Sequence, residues 1–295
     1  MSCQIVEHEY GLGLVYTRKV PEILPYLVNA LLYAALAYYT WRMRWSAAGA
    51  ATPVTASSNV FDHHAVLAPL GLHTFLIARA VFAPDGMHLG VGNAISAILW
   101  LTVLIYWLGN FFYRLDGLQS LVLPLAAAAA LLPALVPSLR PLPNTELMAF
   151  KMHLLIAMLA YSLFTIASLH VALMALLERR LHDGNLPRAL QGLPPLLVME
   201  TLLFRIIWAG FILLTLTLAS GVIYSEELFG RAARFNHKTV FGVLSWVIFS
   251  ALLVGRHVYG WRGRVAVRWT LTGFLMLVLA YIGSRFVLEV ILGRA

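Results

Sequence analysis

The stretch Ile206–Tyr224, IIWAGFILLTLTLASGVIY, runs for nineteen residues without one charged side chain. Roughly 20 apolar residues are what a helix needs to cross the hydrocarbon core, and a helix satisfies its own backbone polar groups there. Seven further runs share this character: roughly Ile23–Trp41, His64–Phe82, Val91–Gly109, Leu118–Val136, His153–Leu177, Thr239–His257 and Val267–Leu292. The expected fold is therefore all-α, a polytopic transmembrane bundle of about eight helices. Composition agrees, with 61% apolar and 12% charged residues, the latter about half the share of a soluble domain. Mean hydropathy is +0.81.

A formal charge of +8 would suggest nucleic acid in a soluble protein. Here the basic residues sit in short loops beside the apolar runs, so the excess reads as a topology signal and no nucleic-acid partner is expected. The densest clusters, Arg179/Arg180/Arg188 and Arg256/Arg262/Arg264/Arg268, fall on one side. They place that side in the cytoplasm and both termini in the periplasm of a bacterial inner membrane. Residues 1–20 carry Glu7, Glu9, Arg18 and Lys19 without a long apolar run, and are expected to be an N-terminal extension, disordered or the product of a misassigned start. Residues 21–295 then form a single transmembrane domain. Cys3, the one cysteine, excludes an internal disulfide, a CxxC redox pair and a CxxCH haem attachment site within this chain.

Pro- and Gly-marked breaks separate most spans, among them Ala83-Pro84-Asp85-Gly86, Pro137 through Pro143, and Asp183 through Pro187 followed by Pro194-Pro195. The longest connections are Glu178–Arg205 and Tyr224–Lys238, where partner contacts are expected. Ala126–Ala130 is a small-residue run suited to close helix packing.

An ionisable group in hydrocarbon costs at least about 2.5–3.5 kcal/mol if charged, so each one needs a reason. Histidine can stay neutral and can ligate haem iron from an apolar helix-lined pocket. His73 lies near the middle of the second run, His153 opens the fifth, His257 closes the seventh and His237 precedes it. With no carboxylate read in these spans, the set points to a cofactor and not a proton relay. His237 and His257 lie about 30 Å apart on one helix and cannot share an iron. Two sites are possible, an outer one with His153 and His237 and an inner one with His73 and His257. His73 and His153 are the expected iron ligands. Arg79, about 9 Å further along from His73, could pair with a haem propionate or simply snorkel to the interface. His170 and His182 read as hydrogen-bonded helix glue, and His8, His63, His64 and His88 as interfacial and solvated.

The last third orders its landmarks as Glu200…Phe204-Arg205, Gly210-Phe211-Ile212-Leu213-Leu214-Thr215-Leu216…Gly221, Asn236-His237-Lys238…Trp246, Gly260-Trp261-Arg262-Gly263 and Gly273-Phe274…Ala280-Tyr281-Ile282-Gly283. Upstream stand Leu72-His73…Ala78-Arg79 and Met152-His153-Leu154…Tyr161-Ser162. This pattern resembles the CcsA-type cytochrome c assembly family, within it a YpjD-like branch related to HemX, from about Pro21 onward. The resemblance implies an eight-helix inner-membrane fold, haem handling by membrane histidines, and other haem-handling or cytochrome c maturation membrane proteins as partners. Where that family has a tryptophan-rich external loop, this chain has Ser225-Glu226-Glu227-Leu228-Phe229 and Phe235-Asn236-His237-Lys238. Its next family histidine would fall at Val254. Haem binding is therefore implied more strongly than hand-over to an apocytochrome. The alternatives are a non-catalytic regulator or anchor of tetrapyrrole metabolism, as in the HemX branch, and a small-molecule transporter, against which stands the lack of inverted repeats. An enzyme is not expected, since no nucleophile–base set, zinc-spaced cluster or phosphate-binding glycine loop is present.

Overall fold

The computed structural model describes residues 23–46, 64–84, 86–113, 115, 117–138, 141–142, 145–182, 193–223 and 237–283, without the side chains of 43–46, 237 and 282–283. Within them eight α-helices follow one another: α1 Ile23–Ser46, α2 Leu67–Val81, α3 Val91–Gly109, α4 Gln119–Leu135, α5 Met148–His182, α6 Leu196–Ile223, α7 His237–Tyr259 and α8 Arg264–Val278. The last continues as a π-helical turn, Leu279–Gly283. Between α2 and α3, the Pro84–Gly86 turn closes a two-stranded antiparallel hairpin, β1 Phe82–Ala83 and β2 Gly86–Met87, with Phe82 opposite Met87. Six helices are long and apolar enough to cross a bilayer, while α2 and α4 have 15 and 17 residues. Those two reach only about 22–26 Å, short of the hydrocarbon thickness. α4 is shielded by its neighbours: Val122, Leu123, Ala126, Ala127, Ala129 and Ala130 are all buried. The expected small-residue run lies at the contacts of α4 with α1 and α3.

Two cores share one helix. The first joins Tyr33 of α1, Leu70 of α2, Val103 and Tyr106 of α3, the buried face of α4 and Ile166 of α5. The second joins Phe164 and Val171 of α5, Leu203 and Ile207 of α6, Phe249 and Leu252 of α7 and Leu277 of α8. In it Phe164 and Phe249 stack with centroids 4.0 Å apart. α5 thus belongs to both halves.

Polarity runs inside out compared with a soluble bundle. Leu24, Leu31, Val222 and Ile223 are exposed, whereas Asn29, His73, Ser96, Ser162, His170, Ser245 and Thr270 are buried. The hydroxyls that bridge helices reach backbone carbonyls: Ser245 donates to Gly273 at 2.9 Å, Tyr161 to Leu277 at 2.8 Å, and Ser162 shares its proton between Met158 of its own helix at 2.8 Å and Ile98 at 3.0 Å. Lipid offers no competing water, so such bonds and close packing hold the helices together. Among the described glycines the tightest approach to backbone is at Gly92, where a Cβ would stand 2.5 Å from the Val136 carbonyl oxygen.

The connection expected at Glu178–Arg205 is helical at both ends, because α5 runs on to His182 and α6 begins at Leu196, directly after Pro194-Pro195; residues 183–192 lie outside the described residues. Glu200 and Arg205 lower the local hydropathy, but Leu196, Leu197, Met199, Leu202 and Leu203 around them are good helix formers. The second long connection, 224–236, and residues 1–20 lie outside the described residues.

Candidate functional site

The two ends of the bundle differ. The β-hairpin, the start of α5 and the end of α6 mark one end; the end of α5 and the starts of α6 and α8 mark the other, which is rich in arginine. His153 sits half-buried at the hairpin end, one turn into α5. Its Nδ1 lies 2.8 Å from Ser220 Oγ near the end of α6. The Ser220 hydroxyl donates its proton to the Thr217 carbonyl at 3.1 Å. With the one hydroxyl proton on the Thr217 carbonyl, the imidazole is the donor in the first contact. In that arrangement Nδ1 carries the hydrogen and Nε2 keeps a lone pair, the tautomer a metal ligand needs. The ring rests against Gly221, where an added Cβ would stand 3.5 Å from Cε1. Next to it, Leu154 and Met158 pack with Val81, Met87, Leu89 and Tyr281. Tyr281, on the π-turn, donates to the Leu89 carbonyl at 3.4 Å and so ties the end of α8 to the loop before α3.

His73 is in a different setting. It is 1% exposed, with Nδ1 3.3 Å from the Tyr33 hydroxyl of α1 and Nε2 2.9 Å from Ser96 Oγ of α3. The Tyr33 ring meets it edge-on at 5.6 Å. One turn before Tyr33 on the same face is Asn29, fully buried, whose amide nitrogen and oxygen both lack a hydrogen-bond partner among the described residues. His73 thus ties three helices together. To ligate a metal it would have to give up one of its two contacts.

The other expected residues are not gathered around these two. His257 is exposed at the end of α7. That helix packs on α6 and α8, whereas α2 packs chiefly on α1, α3 and the hairpin, so His73 and His257 belong to different halves. Arg79 follows His73 by about one and two-thirds turns and so emerges on an exposed face, over the Phe75 ring at 5.7 Å. His237 opens α7, but its side chain is outside the described residues. His170 is the expected glue: its Nε2 donates to the Met199 carbonyl at 2.9 Å.

Two features escaped the sequence reading. His88, expected to be solvated, is fully buried beside the hairpin, where Asn93 Nδ2 donates to its carbonyl at 2.8 Å. Glu200 is a buried carboxylate inside a helix, paired with Arg256 at 2.5 Å and Arg262 at 3.6 Å. Arg256 also lies over the Phe204 ring at 4.7 Å. The available signal was the presence of these arginines at the same end as Glu200.

No group of three or more His, Cys, Asp or Glu residues among those described is close enough to hold a bare metal ion. A single imidazole with a free Nε2 suits iron whose other ligands come from a macrocycle. Fold and site together define a multi-pass helical membrane protein with individually positioned intramembrane histidines.

The chain belongs to the cytochrome c assembly protein family, whose model matches residues 62–292. Inner membrane protein YpjD of Escherichia coli K12 is 34% identical to it over 139 residues, 47% of this chain and 52% of that protein. A 28.8 kDa protein of Azospirillum brasilense is 35% identical over 145 residues, 48% and 52% of the two chains. Cytochrome c biogenesis protein CcsA of Prochlorococcus marinus AS9601 is 36% identical over 88 residues, 30% of this chain and 28% of that one. The chain spans about half the length of the first two relatives. No solved structure matches.

Proposed function

We propose that this protein binds haem within a bacterial inner membrane as part of cytochrome c biogenesis, with His153 as an axial ligand. The observation that carries this reading is the placement of His153 Nδ1 2.8 Å from Ser220 Oγ, which in turn lies 3.1 Å from the Thr217 carbonyl; an imidazole donating along this chain has its Nε2 unprotonated. Bound haem would supply an iron centre able to take an imidazole nitrogen and a porphyrin face that favours apolar walls. Ser220 would hold the tautomer and ring plane of His153; Leu154 and Met158, on the same turns of α5, pack with the hairpin as apolar surface at this end of the bundle. His73 is the second candidate ligand. The unpartnered Asn29 amide near Tyr33 supports it, since a buried polar group without a partner costs roughly 1–3 kcal/mol. The periplasmic placement of the hairpin end, with the arginine-rich end in the cytoplasm, belongs to the same proposal. Other membrane proteins of cytochrome c maturation are the proposed partners.

The test is the absorption spectrum of the detergent-purified protein after haem supplementation. A Soret band is expected in the wild type, strongly reduced in His153→Ala and abolished in His153→Ala/His73→Ala. Absence of the band in the wild type, or an unchanged band in the double variant, refutes the proposal.

A further inference from the structure

At the arginine-rich end a cavity of about 540 Å³ opens between the last turns of α5 and the first turn of α8, lined by Glu178, Arg179, His182, Arg264 and Arg268. Its charge is unbalanced. Glu178 meets Arg264 at 3.7 Å, with both side chains well exposed, and among the described residues Arg179 and Arg268 have no carboxylate partner. With histidine neutral, three guanidiniums against one carboxylate leave a surplus of two positive charges. Arg256 and Arg262, at the same end, converge instead on Glu200. A preference for basic loops accounts for arginines at this end, but not for the convergence of three of them in one concavity with a single carboxylate.

Three further features bear on what would fill it. The first turn of α8 holds no acidic residue and its N-cap, Gly263, makes no side-chain cap bond; the Val265 N–H donates to the Arg262 carbonyl at 3.2 Å, but no side-chain anion caps the positive end of the helix beside Arg264. The lining also includes Ala175 and Val267, an apolar surface below the charges. Trp269, next to Arg268, packs against Trp261 with centroids 5.1 Å apart, as expected at the level of lipid headgroups.

We propose that this cavity binds the headgroup of an anionic membrane lipid carrying two phosphodiesters. The two monoanionic phosphates match the surplus of two positive charges, guanidinium forks suit phosphate oxygens, and the apolar surface takes the start of the acyl region. Basic pockets between transmembrane helices are where such headgroups are bound.

The test uses the full chain, purified and delipidated in an uncharged detergent, with lipid binding followed by native mass spectrometry. Diphosphatidylglycerol, phosphatidylglycerol, phosphatidylcholine and inorganic pyrophosphate are added separately. Diphosphatidylglycerol is expected to bind tightest and phosphatidylcholine not to bind. Each arginine near a lipid surface contributes about fivefold, so Arg179→Gln/Arg268→Gln should weaken binding about twenty-five-fold. Arg180→Gln removes a neighbouring charge that does not line the cavity and should leave binding unchanged. Circular dichroism checks the fold of each variant, and Arg268→Gln alone serves if the double variant fails it. The proposal is overturned if the cavity variants bind as the wild type does, if Arg180→Gln weakens binding equally, or if phosphatidylglycerol binds as tightly. Pyrophosphate displacing the lipid at equal concentration would overturn it as well, by assigning the site to a soluble anion.

Discussion

Replacing Ser220 by alanine removes the acceptor of the His153 Nδ1–H and leaves the imidazole itself in place. The lost contact is 2.8 Å long, a well-formed hydrogen bond. A bond of this kind contributes roughly 1–1.5 kcal/mol net, which is about five- to thirteenfold in an equilibrium constant. The variant also frees the ring to rotate and to take the other tautomer, which places the hydrogen on Nε2, where it blocks ligation. Adding that loss of orientation gives an expected weakening of haem binding of about ten- to thirtyfold, toward the lower part of the 10–100-fold range for residues that orient metal ligands. The assay is a haem titration of the purified protein followed at the Soret band, with wild type, Ser220→Ala and His153→Ala in parallel. Ser220→Ala should retain the band shape of the wild type at reduced affinity, whereas His153→Ala should lose the imidazole contribution. An affinity for Ser220→Ala within about twofold of the wild type would refute the reasoning. It would mean that the serine does not set the tautomer, or that His153 does not ligate.

Three further outcomes follow from the packing. Glu200→Gln should destabilise the protein by about 2 kcal/mol in SDS unfolding followed by circular dichroism, below the 3–5 kcal/mol of a fully buried broken pair because Arg256 keeps 26% side-chain exposure. The cost should nearly vanish in an Arg256→Gln background; two independent, additive costs would show that the pair is not coupled. Ser96→Ala should cost more than Tyr33→Phe, about 1–2 against about 0.5–1 kcal/mol, because the His73 contact to Ser96 is 2.9 Å and that to Tyr33 is 3.3 Å. The reverse order in the same unfolding assay would contradict the assigned contacts. Gly92→Ala should cost about 1–3 kcal/mol, since its Cβ would overlap the Val136 and Leu132 carbonyl oxygens. Gly71→Ala, with nothing within 4 Å of its Cβ, should be neutral or stabilising, and equal losses for the two would rule out the close approach of α3 to α4.

The eight helices were legible because uninterrupted apolar length is itself the signal for a helix in lipid, and Val91–Gly109 has the same limits in sequence and structure. The start of α6 was not, because Glu200 lowers the hydropathy there and its compensation, Arg256, lies 56 residues further on. The candidate site divides in the same way. His153 announced itself as an ionisable residue opening an apolar run, but Ser220, which fixes its tautomer, is 67 residues distant. The pairing of His73 with His257 assumed that equal depth brings residues together. Depth follows from position along a helix, whereas lateral neighbourhood follows from how helices pack, and α2 and α7 fall in different halves. His88 looked solvated because it lies in a short break, yet the hairpin folds over it.

α5 has 35 residues and neither glycine nor proline, so it runs as one rod of about 52 Å, well over the hydrocarbon thickness. Arg179 near one end and His153 near the other are separated by 26 residues, about 39 Å along the same axis. Such a rod has no hinge at which a tilt could dissipate. Pivoting near its middle, a tilt of about 5° moves each end by roughly 2 Å in opposite directions. A rigid tilt of α5 would therefore shift the arginine-rich end and the imidazole together, in opposite directions.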